Sequence, residues 1–257
     1  MTKPRGSLIL VPNTLDFGIA AGAPDVQDVL PASVIRAAAR LTHWVAENAK
    51  TTRAFLKRVD TIVPLAQPLQ TLSIVELPRA QKGVRGAPAT DLTALLTPAL
   101  QGIDLGLISE AGLPAVADPG AALVQAAHAT GIRVIALPGP SSLLLALSAS
   151  GLNGQSFAFV GYLPVESVER GARIRELEAL SRRAIQTQLM IETPYRNEAL
   201  LGALLAHLHP ATRLSMSCGL TMPNAFTRTD TVRGWQARPT ALPVDVPAVF
   251  LLLANGS

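Results

Sequence analysis

The chain has 257 residues, 49% of them hydrophobic and only 16% charged, with a formal net charge of +4. That length accommodates one large domain or two of ordinary size, either of which buries a substantial core. The most apolar runs, at 143–147 and 249–254, fall far short of the ~20 residues of a membrane-spanning helix. The apolar run before Pro12 is also too short for a signal peptide, so the chain reads as soluble and cytoplasmic. With Cys218 as the single cysteine, an intrachain disulfide and a thiolate cluster are excluded, and the lone thiol is expected in the core. Among the four histidines only His207 and His209 are close in sequence, and no metal site is expected. A mildly basic surface permits a polyanionic partner. An aromatic content of 4% argues against a broad base-stacking platform.

In chain order, residues 7–11 form a short strand candidate stopped by Pro12, 32–41 a helix and 43–46 a strand. Residues 50–59 have helical spacing and place Lys50, Arg53 and Lys57 on one face. Residues 78–90, rich in Gly, Pro and basic side chains, read as a mobile loop. A strand over 105–108 precedes a Gly- and Pro-containing loop. A helix is expected from Asp118-Pro119 to about Thr130, with the acid near the N-cap and Pro at the first helical position. Residues 132–137 read as a strand, 138–140 as a sharp turn and 141–150 as a helix. Such alternation argues for an open, mostly parallel sheet.

The character changes at the Gly151-Leu-Asn-Gly154 linker, which divides the chain into domains 1–151 and 152–257. Beyond it, strands are expected over 157–161, 188–192, 213–217, 227–232 and 249–253, with helices over 166–183 and 197–208. The last three strands have little helix between them, so the second sheet is expected to be mixed. In the 166–183 helix four glutamates are threaded among arginines, which points to intrahelical ion pairs more than to a basic strip. Trp44 and Trp235 read as core or interface residues.

Open α/β sheets bind ligands beyond the carboxyl ends of their strands. Two punctuated segments sit at such ends. In Ser109-Glu-Ala-Gly-Leu-Pro-Ala-Val-Ala-Asp-Pro-Gly120, small residues allow close backbone approach to a ligand, and Glu110 and Asp118 can accept from its donors. In Pro138-Gly-Pro-Ser-Ser142, hydroxyls and free N–H groups lie at a helix start. No glycine-rich dinucleotide fingerprint follows the first strand, where the chain reads Pro12-Asn-Thr-Leu-Asp16, and no P-loop is present.

The runs SEAGLPAVADPG, GIRVIALPGPSSLLLALSASGL, FAFVGYLP and LMIETPYR together resemble the tetrapyrrole-methylase superfamily. They lie closest to its branch of small-subunit ribosomal RNA ribose methyltransferases. The resemblance implies a two-domain α/β fold, S-adenosylmethionine as cofactor in an interdomain cleft, and a homodimer. It also implies that Ser109, Glu110, Ala111 and Asp118, with Pro12 and Ser142 nearby, lie along the methionine and ribose side of the cofactor. Ile191, Glu192, Thr193, Pro247 and Ala248 would approach the adenine. The chain departs from that branch at Pro12-Asn-Thr-Leu in place of a Gly-Asn pair, and at Glu47-Asn-Ala-Lys50 in place of Glu-Asp-Thr-Arg. Cys218-Gly-Leu-Thr-Met-Pro223 replaces an Arg-Glu-Leu-Thr-Lys-like segment.

Methyl transfer from a sulfonium needs mainly an acceptor held at near-attack distance. Glu110 and Asp118 are therefore expected to position cofactor, and Lys50 and Arg53 are the candidates for gripping an anionic substrate such as RNA. No metal is implied. A tetrapyrrole or protein-side-chain acceptor, and a catalytically silent cofactor-binding protein, remain the alternative readings.

Overall fold

A computed structural model of the protein describes residues 4–16, 24–78, 91–242 and 246–254. The loop expected over 78–90 lies, but for Pro78, outside them. The chain forms two compact units, 1–140 and 141–257.

The first unit contains β1 (Ser7–Leu10), α1 (Val26–Val29), α2 (Ala32–Arg40), β2 (His43–Ala46), α3 (Ala49–Asp60), β3 (Ser73–Glu76), α4 (Thr97–Leu100), β4 (Leu105–Ile108), α5 (Ala121–Ala129) and β5 (Arg133–Ala136). Its strands lie in the order β3-β2-β4-β1-β5, and every pair is parallel. Because successive strand side chains alternate faces, the buried residues divide into two layers. Ile9, Trp44 and Ile108 join α1, α2 and α3 on one face. Leu8, Val45 and Leu107 join α4 and α5 on the other. Each large apolar side chain so buried stabilises the unit by about 1.5–3 kcal/mol. Gly106 on β4 is required by this packing: a Cβ there would stand 2.6 Å from the ring of Trp44.

The second unit contains α6 (Ser142–Ser150), β6 (Phe157–Phe159), α7 (Ser167–Ala184), β7 (Thr187–Glu192), α8 (Asn197–His207), β8 (Arg213–Cys218), β9 (Phe226–Thr231), α9 (Val232–Ala237) and β10 (Ala248–Leu253). Its sheet, β6-β7-β10-β8-β9, is mixed, with β6 parallel to β7 and the other pairs antiparallel. Side chains of α7, α8 and α9 fill one face around Trp235, Met190 and Phe250. Leu143, Ala146 and Leu147 of α6 fill the other, against Leu189, Val249 and Leu251. Helix α6 therefore belongs with the second unit, whereas the linker at 151–154 assigned it to the first. Apolar surface on α6 decides the matter, since it is buried on the sheet that follows.

The remaining differences from the sequence reading are local. The helix expected to start at Pro119 starts at Ala121, with Gly120 at its N-cap. Ala115, Ala117 and Gly120 all adopt positive φ and carry the chain through a winding turn before the helix begins. Asp118 is thus a loop residue and caps nothing. Strand β3 and helices α1, α4 and α9, of four to six residues each, are too short to show a period and were not expected. Among the described residues no helix is long and apolar enough to cross a membrane. Cys218, Trp44 and Trp235 are buried as expected. In α7, Arg173 pairs with Glu176 at 2.6 Å.

Candidate functional site

In a parallel sheet all carboxyl ends emerge at one edge, and the loops after β1, β2, β4 and β5 meet there. The chain leaves β1 through Pro12, Asn13 and Thr14, all buried. Asn13 forms a two-way backbone bridge with Gly112: its N–H donates to the Gly112 carbonyl at 2.9 Å, and the Gly112 N–H donates back at 3.2 Å. The Asn13 side-chain amide donates to the carbonyls of Ser109 at 3.2 Å and Glu110 at 3.0 Å. Gly139 lies so close to Pro12 that a Cβ would collide with its ring. A Cβ on Gly112 would stand 3.4 Å from the Pro140 carbonyl oxygen. Gly112 of the 109–120 segment thus lies close to the Pro140 backbone, and Gly139 against Pro12.

Three carboxylates gather on this edge. Glu47, directly after β2, accepts from the Glu110 N–H at 3.0 Å. Burial raises its pKa; that hydrogen bond opposes the rise and the Glu110 charge adds to it. Burial likewise pushes Asp118 up to about 7, with repulsion from Glu47 and Glu110 reinforcing the shift and the Ser109 hydroxyl opposing it. A cluster of this kind has surplus negative potential that a cationic ligand relieves. Among the described residues no group of three His, Cys, Asp or Glu could hold a metal ion.

A second set of expected residues gathers in the second unit. Ala248 lies opposite Glu192 in the β7–β10 register, and Val249 opposite Ile191. The Glu192 carboxylate is buried, accepts from the Thr193 N–H at 2.8 Å and pairs with Arg196 at 3.0 Å. Pro247 is exposed just before the strand, and Ser142 opens α6. Lys50 and Arg53 lie exposed on α3, whose N-cap is Asn48. Pro12, Ser109, Glu110, Ala111 and Asp118 thus share one sheet edge, and Ile191, Glu192, Thr193, Pro247 and Ala248 share another.

Sequence reasoning passed over Asn13, Thr14, Asp16 and Arg58, and treated Glu47 only as part of a divergent segment. Asn13 and Glu47 were within reach of the same strand-end argument that selected Ser109 and Glu110. Arg58 left no signal, because its contacts are remote in sequence.

An all-parallel sheet with helices on both faces and four loops converging at its carboxyl edge is an open α/β unit, the class of fold in which ligands sit beyond the carboxyl ends of the strands. The sequence profile of the Tetrapyrrole (Corrin/Porphyrin) Methylases matches residues 32–234, and the chain belongs to that family. Its relatives include proteins named ribosomal RNA small subunit methyltransferase I. The one from Mesorhizobium japonicum is 41% identical over 139 residues, which is 54% of this chain and 46% of that protein. That from Xylella fastidiosa is 47% identical over 83 residues, 32% of this chain and 30% of that protein. The chain thus aligns with less than half the length of these relatives. Among solved structures, the crystal structure of the methyltransferase CobJ superposes with a TM-score of 0.55 at 18% identity, over 97% of this chain and 94% of that one. That of uroporphyrin-III-C-methyltransferase from Thermus thermophilus does so with a TM-score of 0.50 at 20% identity, over 97% and 92%. These two likenesses concern the fold.

Proposed function

We propose that the protein is a cytoplasmic, homodimeric S-adenosylmethionine-dependent methyltransferase that modifies RNA, at a ribose or base of small-subunit ribosomal RNA. The observation that carries the reading is the strand-edge cluster of Glu47, Glu110 and Asp118. The cofactor bears an ammonium and a sulfonium, and its ribose offers two hydroxyl donors, so its chemistry suits a carboxylate-rich edge. When bound, it supplies an activated methyl group on sulfur. The relatives' names support the RNA acceptor.

The protein's own groups then have separable tasks. Glu110 and Asp118 orient the amino acid and ribose portions, while Ser109, Ala111 and Pro12 allow close approach through small or rigid surfaces. Ile191, Glu192, Thr193, Pro247 and Ala248 are assigned to the adenine, and Ser142 to the same site. Lys50 and Arg53 grip phosphates, holding the acceptor in place so that proximity lowers the barrier.

Calorimetry with S-adenosylmethionine and S-adenosylhomocysteine tests the reading. Micromolar binding, about −8 kcal/mol, lost in a Glu110→Ala, Asp118→Ala variant is the expected result. No detectable binding of either compound would end it. Tight binding without methylation of small-subunit ribosomal RNA would leave the cofactor assignment and remove the acceptor.

A further inference from the structure

One guanidinium close to the strand edge does not itself reach the carboxylate cluster. Arg58, on the inner face of α3, donates to the Asp16 carboxylate at 2.8 Å, to the Pro24 carbonyl at 2.7 Å and to the Thr14 hydroxyl at 3.4 Å. One guanidinium thus fastens residues 14, 16 and 24. The Asp16 side chain is 1% exposed, so its charge depends on its pairing inside the protein.

From there the bonds run directly to the site. Thr14 donates its hydroxyl to Asp16 at 2.9 Å and its backbone N–H to the Asn13 side-chain oxygen, also at 2.9 Å. An amide whose oxygen is engaged on one side must present its nitrogen on the other. The Asn13 nitrogen therefore faces the Ser109 and Glu110 carbonyls, and the Asn13 backbone holds Gly112. Glu110 in turn donates its N–H to Glu47.

We infer that Arg58 is a positioning residue for the 109–112 segment, acting through Asp16, Thr14 and Asn13. The inference rests on the proposed cofactor site. It adds that the site's geometry is set from α3, the helix whose outer face carries Lys50 and Arg53, and not by the β4 loop alone. A planar fork suits this task because it serves two separate acceptors at once. Lysine, a point donor, would keep Asp16 and lose Pro24.

Hydrogen exchange and calorimetry on Arg58→Ala, Arg58→Lys, Asn13→Ala and the Arg58→Ala, Asn13→Ala double variant provide the test. In Arg58→Ala the amides of Asn13, Glu110 and Gly112 exchange faster, while those of β1 and β4 keep their protection. The dissociation constant for S-adenosylhomocysteine rises about tenfold, by analogy with the loss of a charge-assisted hydrogen bond. Arg58→Lys recovers part of that loss. The double variant is no worse than Asn13→Ala, because both changes cut one chain of bonds. Unchanged exchange and affinity in Arg58→Ala would overturn the inference. So would loosening spread evenly over the strands, which marks a merely structural ion pair. So too would full additivity in the double variant. If the wild-type protein itself binds neither cofactor form, the proposed function fails and the positioning role fails with it. If the wild type binds and only the variants behave as controls, this inference alone is lost.

Discussion

Asp118 has a carboxyl group whose pKa is raised to about 7 by burial and by its two acidic neighbours. Its unfolded value is near 3.9, so between about pH 4 and 7 the folded state binds more protons than the unfolded one. Stability from this group is complete below pH 4 and is lost as pH rises through 7. Asp118→Asn, which cannot ionise, should match the wild type near pH 4. It should exceed it by about 1–2 kcal/mol at pH 8, once residual solvent access is allowed for; melting curves across that range check this. The same group should report the ligand. A sulfonium beside the cluster favours the carboxylate, so S-adenosylmethionine binding at pH 7 should release a fraction of a proton. S-adenosylhomocysteine, lacking that charge, should release less. Binding enthalpies in buffers of different ionisation enthalpy would show it, and equal proton release for both compounds would remove Asp118 from the sulfonium's surroundings.

At the scale of elements, α3 is held by local and remote features together. Asn48 caps it by accepting from the N–H groups of Lys50 at 2.9 Å and Thr51 at 3.4 Å, and Glu76 at the end of β3 accepts from Ala49 at 2.7 Å. Asn48→Ala should cost about 1 kcal/mol, lowering the melting temperature by roughly 2–4 °C for a protein of this size. Within the first sheet, Gly106→Ala should cost about 1–3 kcal/mol by overpacking. The Trp44 ring it would strike is 1% exposed, so it must shift within the core; denaturant titration measures the loss. Strands β2 and β4 and most helices were legible, because buried strands read as short aliphatic runs and amphipathic helices repeat every 3.6 residues. The start of α5 was not. Asp118-Pro119 has the composition of a helix start, but the left-handed residues Ala115 and Ala117 use it for a turn. Nothing in alanine's chemistry announces positive φ.

At the scale of the whole molecule, the face that would meet a polyanion is marked by the cations of α3. α3 exposes Lys50, Arg53 and Lys57, while its fourth cation, Arg58, turns inward to Asp16. Phosphate contacts release counterions, so each one steepens the salt dependence of RNA binding. A Lys50→Ala, Arg53→Ala variant should bind small-subunit ribosomal RNA more weakly at low salt. The slope of log affinity against log salt should be shallower by about 2. An unaltered slope would return those side chains to the role of a solvated helix face.

Sequence alone determined the two-part α/β plan, the parallel first sheet, the mixed second sheet and the candidate residues at strand ends. Hydrophobic period, turn chemistry and linked motifs are all written in neighbouring residues. Tertiary structure alone decided that α6 packs on the sheet that follows it, that Glu47 meets Glu110 across 63 residues, and that Asn13 meets Glu110 across 97. It also decided which of four cations on one helix turns inward. Those outcomes depend on hydrogen bonds and buried surface between segments remote along the chain, and such contacts leave no periodic trace in the order of the residues.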